Sequence, residues 1–311
     1  MIKFREKAVW FWFALTALVC WSGSDLFSKI GCADARDRYS YLKMTMAVGL
    51  VMGIHAAYEV FIAGVEINAF VLLRYLPVSL LYISSMVIGY LGLRYIELSI
   101  SSPICNSSGA IVAVLSILAF GISDDVPAFS LVAVALVCIG VVALGITEAG
   151  EDEELRAMRQ DGANYQYAKS ALAIVIPIIY CLLDALGTFA DSIVLETVDE
   201  NSANVAYELT FLIAGICCAV YVLGIKKQKL AVKAEGPRLL GAVCETVGQF
   251  FYIFAIADRE HVAFAAPIIS SYCVLSVIWG RLFLKEKLSR KHYASIALVI
   301  FGIIILGVLD I

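Results

Sequence analysis

Residues 172–195 read LAIVIPIIYCLLDALGTFADSIVL, twenty-four residues in which Asp184 and Asp191 are the only charges. A helix that crosses a bilayer needs about 20 mostly apolar residues. A strand of that length would leave backbone groups unpaired in hydrocarbon, whereas a helix satisfies them internally. The stretch therefore predicts a spanning helix with acids embedded in it. Working outward, equivalent apolar runs fall at about 8–30, 40–63, 70–93, 97–121, 127–147, 169–195, 203–224, 237–257, 261–283 and 291–309. Connectors as short as Asp258-Arg259-Glu260 force neighbouring runs to be antiparallel. Composition agrees: 61% of the 311 residues are hydrophobic and 16% charged, and the mean hydropathy is +0.89. A soluble domain carries about 45–50% and about 25%. The expected class is an all-α, multi-pass integral protein of the cell membrane. The N-terminal MIKFREK followed by AVWFWFALTALVC imitates a signal peptide, but the apolar run continues to about Ile30 without a small-x-small cleavage site, so it reads as the first retained span.

The chain also repeats. Arg74-Tyr-Leu matches Arg238-Leu-Leu and Pro103-Ile104 matches Pro267-Ile268, both at a separation of 164 residues. Gly140 and Gly145 match Gly302 and Gly307 at a separation of 162. Five spans per copy is an odd number, so the second copy must enter the membrane inverted, an arrangement used by transporters with a midplane site. The expected organisation is a first five-helix repeat at 1–147, a polar linker at 148–168 and a second repeat at 169–311. The linker, with Glu151-Asp152-Glu153-Glu154, reads as solvated and without a site.

Ala263-Phe-Ala-Ala-Pro267, Arg281-Leu-Phe-Leu-Lys-Glu286-Lys-Leu288, and then Ala294 to Gly302 and Gly307 resemble the last two spans of the drug/metabolite transporter superfamily, EamA type. That family shows an apolar helix with an early proline, an L-x-E-x-L-type turn and a closing helix with glycine. The first copy departs from it, since Gly121-Ile-Ser-Asp-Asp125 replaces the glutamate turn. The resemblance implies a ten-span secondary transporter with a duplicated half.

Ionisable side chains inside spans are expensive and face the bundle interior. Asp25, Asp184, Glu208 and Glu245 qualify. At helical spacing, Tyr180, Asp184, Thr188 and Asp191 form one stripe, Glu245, Gln249 and Tyr252 a second, and Trp21, Asp25 and Lys29 a third. Ser79, Tyr82 and Ser85 in the third span and Asn106 and Ser107 in the fourth add polar groups. The expected substrate-lining set is Trp21, Asp25, Tyr82, Asn106, Tyr180, Asp184, Glu245, Gln249, Tyr252 and Ser271, with Pro103 and Pro267 as hinges. Blander readings stand beside these. A local pair with Lys29 accounts for Asp25 as well as a site does, Asp191 and Glu208 suit an interface, and Asp184 and Glu245 suit a buried interhelical hydrogen bond. Gly49-x-x-x-Gly53 suits close helix packing.

An acidic, aromatic cavity favours a cation, held by carboxylates and ring faces. The expected substrate is a small cationic or zwitterionic metabolite, such as an amino acid or quaternary amine, moved by alternating access with protons as coupling ion. A non-transporting receptor or accessory subunit of the same fold is the alternative. No HExxH, G-x-S-x-G or P-loop occurs, so neither an enzyme nor an ATP-driven pump is expected. The nine cysteines lie in apolar runs without metal-ligand spacing, and no cofactor, metal or nucleic-acid partner is expected. For orientation, Lys3, Arg5, Lys7 and Arg259 fall on one side. A much larger set, from Lys29, Arg36, Arg38 and Lys43 through Lys226–Lys233 to Arg281–Lys291, falls on the other. The positive-inside rule then puts both termini outside, while the family resemblance implies termini inside.

Overall fold

A computed structural model of the chain describes residues 9–34, 36–108, 110–112, 115, 118, 128–195, 197–257, 269 and 271–309. Among these the regular structure is entirely helical. In chain order the helices are α1 (Val9–Cys32), α2 (Ser40–Tyr58), α3 (Ala69–Gly92), α4 (Leu98–Cys105), α5 (Ala128–Gly150), α6 (Glu153–Gln160), α7 (Leu172–Val194), α8 (Glu200–Ala219), α9 (Val232–Ala257), α10 (Tyr272–Leu282) and α11 (Arg290–Leu309). Both α2 and α8 run on into wider π-helical turns, Glu59–Ala63 and Val220–Ile225. Helix starts follow the local sequence. The side chains of Asn68, Asp152 and Asp199 accept the backbone N–H three residues on, opening α3, α6 and α8.

Among the described residues, four helical stretches are long and apolar enough to cross a membrane: Ser40–Ala63, Ala69–Gly92, Leu172–Asp191 and Glu200–Ile225. The polarity of the bundle is inverted relative to a water-soluble protein. Leu50, Ile54, Phe61, Leu73, Ile146 and Ile213 face outward, while Ser22, Lys29, Ser79, Ser85, Glu208 and Arg238 are buried. Such an exterior suits hydrocarbon and leaves polar groups to be satisfied inside.

The helices pair as α1 with α9, α2 with α8, α3 with α7, α4 with α10 and α5 with α11. Small residues set the closest crossings. A Cβ on Gly49 would lie 2.6 Å from the Phe211 carbonyl oxygen, and one on Gly215 would lie 3.1 Å from the Gly49 Cα. At the α5–α11 crossing, Gly140 faces Val299 and Gly302 faces Val137. Since the obstacle at Gly49 is main chain, the helices themselves must separate to admit a methyl group. Gly49→Ala is therefore expected to destabilise the bundle by about 1–3 kcal/mol, read as a lower midpoint of thermal unfolding in detergent. Gly224→Ala, where a Cβ meets nothing within 4 Å, should leave the midpoint unchanged or slightly raised.

One end of the bundle gathers the loops. Arg94 Nη1 donates to the Arg38 carbonyl at 2.6 Å, Lys43 Nζ to the Lys229 carbonyl at 3.2 Å, and Asn164 N to the Leu284 carbonyl at 3.0 Å. We call this the linker end, because residues 151–171 lie there. The linker does not run free in solvent as its charges imply. Its middle is α6, whose Arg156 and Gln160 are buried at helical spacing; Glu148 and Glu151 pair with Arg156 and Arg159, while Asp152, Glu153 and Glu154 stay exposed.

Candidate functional site

Between the helices lies a cavity of about 450 Å³. Nine of the ten residues expected to line a site do line it: Trp21, Asp25, Tyr82, Asn106, Tyr180, Asp184, Glu245, Gln249 and Tyr252. Ser271 does not; it sits at the N-cap of α10, one residue before the lining Tyr272. Of the two hinge prolines, Pro103 is a buried residue of α4, and Pro267 falls outside the described residues.

Each acid of the cavity has its own setting. Asp25 Oδ2 accepts from Ser102 Oγ and Ser276 Oγ, both at 2.6 Å, so one carboxylate ties α1 to α4 and α10. The local pair with Lys29 does not form. Lys29 points away from the cavity, its ammonium donating to the carbonyls of Leu93, at 2.5 Å, and Ile96. Its third side lies 4.4 Å from the Tyr167 ring centre. A lysine so fully enclosed is stable only because carbonyls and a ring face replace water. Asp184 faces Ser108, and Glu245 faces Ser24. Asp191 also lines the cavity, opposite the hydroxyls of Tyr75 and Tyr82, so the interfacial reading of that residue fails. Glu208 turns the other way. It is fully buried between α8 and α2, 2.8 Å from His55 Nδ1, and belongs to helix packing.

The aromatic wall is larger than the sequence suggested. Tyr75, Tyr90, Tyr207 and Tyr272 join Trp21, Tyr82, Tyr180 and Tyr252. The Trp21 ring centre lies 5.1 Å from that of Tyr252 and 5.8 Å from that of Tyr272, while Tyr82 and Tyr207 meet edge to face at 6.0 Å. Four polar atoms of this wall are buried without a hydrogen-bond partner: Trp21 Nε1, Ser28 Oγ, Tyr90 Oη and Asp191 Oδ1. Buried polar groups are nearly always paired, so these four leave hydrogen-bonding capacity unused around the cavity.

Leu93 and Leu98, flanking the α3–α4 connection, are among the lining residues, and next to them the linker end holds a set of buried ion pairs. Glu286, the glutamate of the turn in the second half, reaches across and caps α4. Its Oε1 accepts from Leu98 N at 2.9 Å, and its Oε2 from Ser99 N at 2.9 Å and Ser99 Oγ at 2.6 Å. Burial raises the Glu286 carboxyl above its ordinary value despite Lys29 and these donors. Glu97 behaves oppositely. Burial works against its carboxylate, but the Arg159 charge and hydrogen bonds from Arg159 and Gln160 outweigh it and hold Glu97 below the usual range. Arg159 Nη1 sits 2.6 Å from Glu97 and Nη2 2.8 Å from Glu151. Arg156 Nη1 sits 2.5 Å from Glu148, whose other oxygen is 3.1 Å from His292 Nε2. Glu148, Glu151 and His292 lie close enough together to share a metal ion, but their carboxylates already neutralise two guanidinium groups.

These features define a helical membrane protein that contains an acidic, aromatic cavity, with buried ion pairs at its linker end. Residues 171–308, the second half of the chain, match the EamA-like transporter family, in agreement with the resemblance to the drug/metabolite transporter superfamily carried by Pro267, Glu286 and Gly302. Comparison with curated proteins returns no match.

Proposed function

We propose that the protein is a secondary active transporter that moves a small cationic or zwitterionic metabolite, such as an amino acid or a quaternary amine, by alternating access with protons as the coupling ion. The carrying observation is the cavity itself, in which Asp25, Asp184, Asp191 and Glu245 share one aromatic enclosure. A carboxylate there can hold a proton or balance a substrate charge, and exchanging one for the other is the minimum requirement for coupling. We read the architecture as ten spans in two inverted repeats, 1–147 and 169–311, joined by the 148–168 linker. The helix pairs support this. Exchanging span n with span n+5 turns α1–α9 into α7–α3 and returns α2–α8, α4–α10 and α5–α11 to themselves. The π-helical turns ending both α2 and α8 obey the same exchange. We place the linker end in the cytoplasm, where its excess of Lys and Arg belongs.

The test is transport by the purified chain in liposomes under an imposed pH gradient, with labelled choline, tetramethylammonium and a set of amino acids. Saturable uptake that collapses with the gradient is the expected result. Tight binding without movement of any member would favour the receptor reading instead.

A further inference from the structure

We infer that the substrate is a linear dication, two ammonium groups joined by an aliphatic chain and carrying no carboxylate. This narrows the transport reading above and rests on it. Four carboxylates line the cavity, and no Lys, Arg or His occurs among its described lining residues. A zwitterion would bring its carboxylate into a chamber with four others and no side-chain cation to receive it. A single positive charge would balance one acid and leave three, and an uncompensated buried charge costs several kcal/mol. Two ammonium groups balance two acids and leave two to hold the coupling protons.

The geometry gives the spacing. Asp184 and Asp191 are seven residues apart on α7, which is about 10 Å along the helix axis at about 1.5 Å per residue. On the facing helix, Tyr75 and Tyr82 repeat the same interval and both lie near Asp191, while the Tyr82 hydroxyl donates to Thr188 Oγ1 at 3.2 Å. The result is a slot with an acid at each level and rings along the wall, suited to charged ends and a methylene middle. Among the unpartnered atoms, Asp191 Oδ1 lies at one of the two acid levels, and Tyr90 Oη comes from the far end of the facing helix, three residues before the lining Leu93. A metal ion would instead gather about six to eight oxygens into one compact shell, which ring-lined walls and acids spread over that length do not provide.

Three probes that differ by one group each decide the matter: 1,5-diaminopentane, 1-aminopentane, which lacks the second amine, and lysine, which adds a carboxylate. Their affinities for the detergent-solubilised full chain are measured by calorimetry, with Mg²⁺ as a fourth ligand. The diamine is expected to bind at least about tenfold more tightly than the other two, a difference of about 1.4 kcal/mol. Asp191→Asn should erase that preference, lowering diamine affinity about tenfold more than it lowers 1-aminopentane affinity. Equal affinities, preference for lysine, stronger binding of Mg²⁺, an unaffected diamine preference in Asp191→Asn, or no binding of any probe would each overturn the inference. Uptake in the liposome assay above would still stand in those cases, so the two failures are separable.

Discussion

Arg159→Ala is expected to destabilise the folded chain by about 3–5 kcal/mol, because it strands buried charges rather than merely deleting a surface pair. The Arg159 side chain is 6% exposed, and its partners Glu97 and Glu151 are 2% and 8% exposed. Its guanidinium also donates to the Lys287 carbonyl at 3.1 Å, so one residue joins the linker, the start of α4 and the turn before α11. The measurement is thermal unfolding in detergent, together with amide exchange over 151–168, which should lose protection first. Arg159→Lys should restore only part of the stability, since an ammonium cannot span two carboxylates as a planar fork does. The pH dependence carries a sign. Glu97 titrates below its ordinary value of 4.5 in the folded chain, so its contribution is complete above that value and fades as pH falls through the depressed one. Without Arg159, burial dominates and raises Glu97. The folded chain then binds the proton more readily than the unfolded one, and stability falls as pH rises past the ordinary value.

Glu245→Gln and Asp184→Asn are expected to reduce gradient-driven uptake to background, each by more than about a hundredfold in affinity for a cationic substrate. That follows from about 3–5 kcal/mol for removing one partner of a desolvated charge pair. Both replacements keep size and hydrogen-bonding capacity, so loss of folding is not the expected cause; an unchanged unfolding midpoint verifies this. The two acids come from α9 and α7, which belong to different helix pairs, so a cation between them would couple α1–α9 to α3–α7. Unchanged pH-dependent transport in both variants would remove the proposed mechanism.

Most of the helical bundle was legible because a lipid solvent leaves a coarse signature. The third run, placed at 70–93, is α3 at Ala69–Gly92, and the sixth, placed at 169–195, contains α7 at Leu172–Val194. Three of the four cavity acids, Asp25, Asp184 and Glu245, were legible too, because a carboxylate amid apolar residues stands out; Asp191, near a helix end, suited an interface equally. The linker was not legible. Glu153–Gln160 is short and charged, and its partners Glu97 and Glu148 lie outside it in sequence. Only the Arg156–Gln160 interval, one helical turn, hinted at a buried face. The further tyrosines of the wall were not legible for a different reason. Tyr75, Tyr90 and Tyr272 sit near helix ends, where tyrosine usually anchors to the membrane interface, and position along a helix does not say which face a side chain occupies. Asp25 was ambiguous because a neighbour four residues away suggests a pair, and Lys29 found better company in the backbone of the α3–α4 connection.

The crossing of α2 and α8 has a mechanical consequence. Where Gly49 meets Gly215, main chain rests on main chain, so at that contact no rotamers have to be reshuffled when the angle between the helices changes, and the His55–Glu208 contact farther along the pair has to follow. Interlocked side chains act like gear teeth and permit only discrete settings, whereas two bare backbones form a plain bearing. A rocking motion of one half on the other would find its axle there, at the helix pair that the exchange of halves maps onto itself.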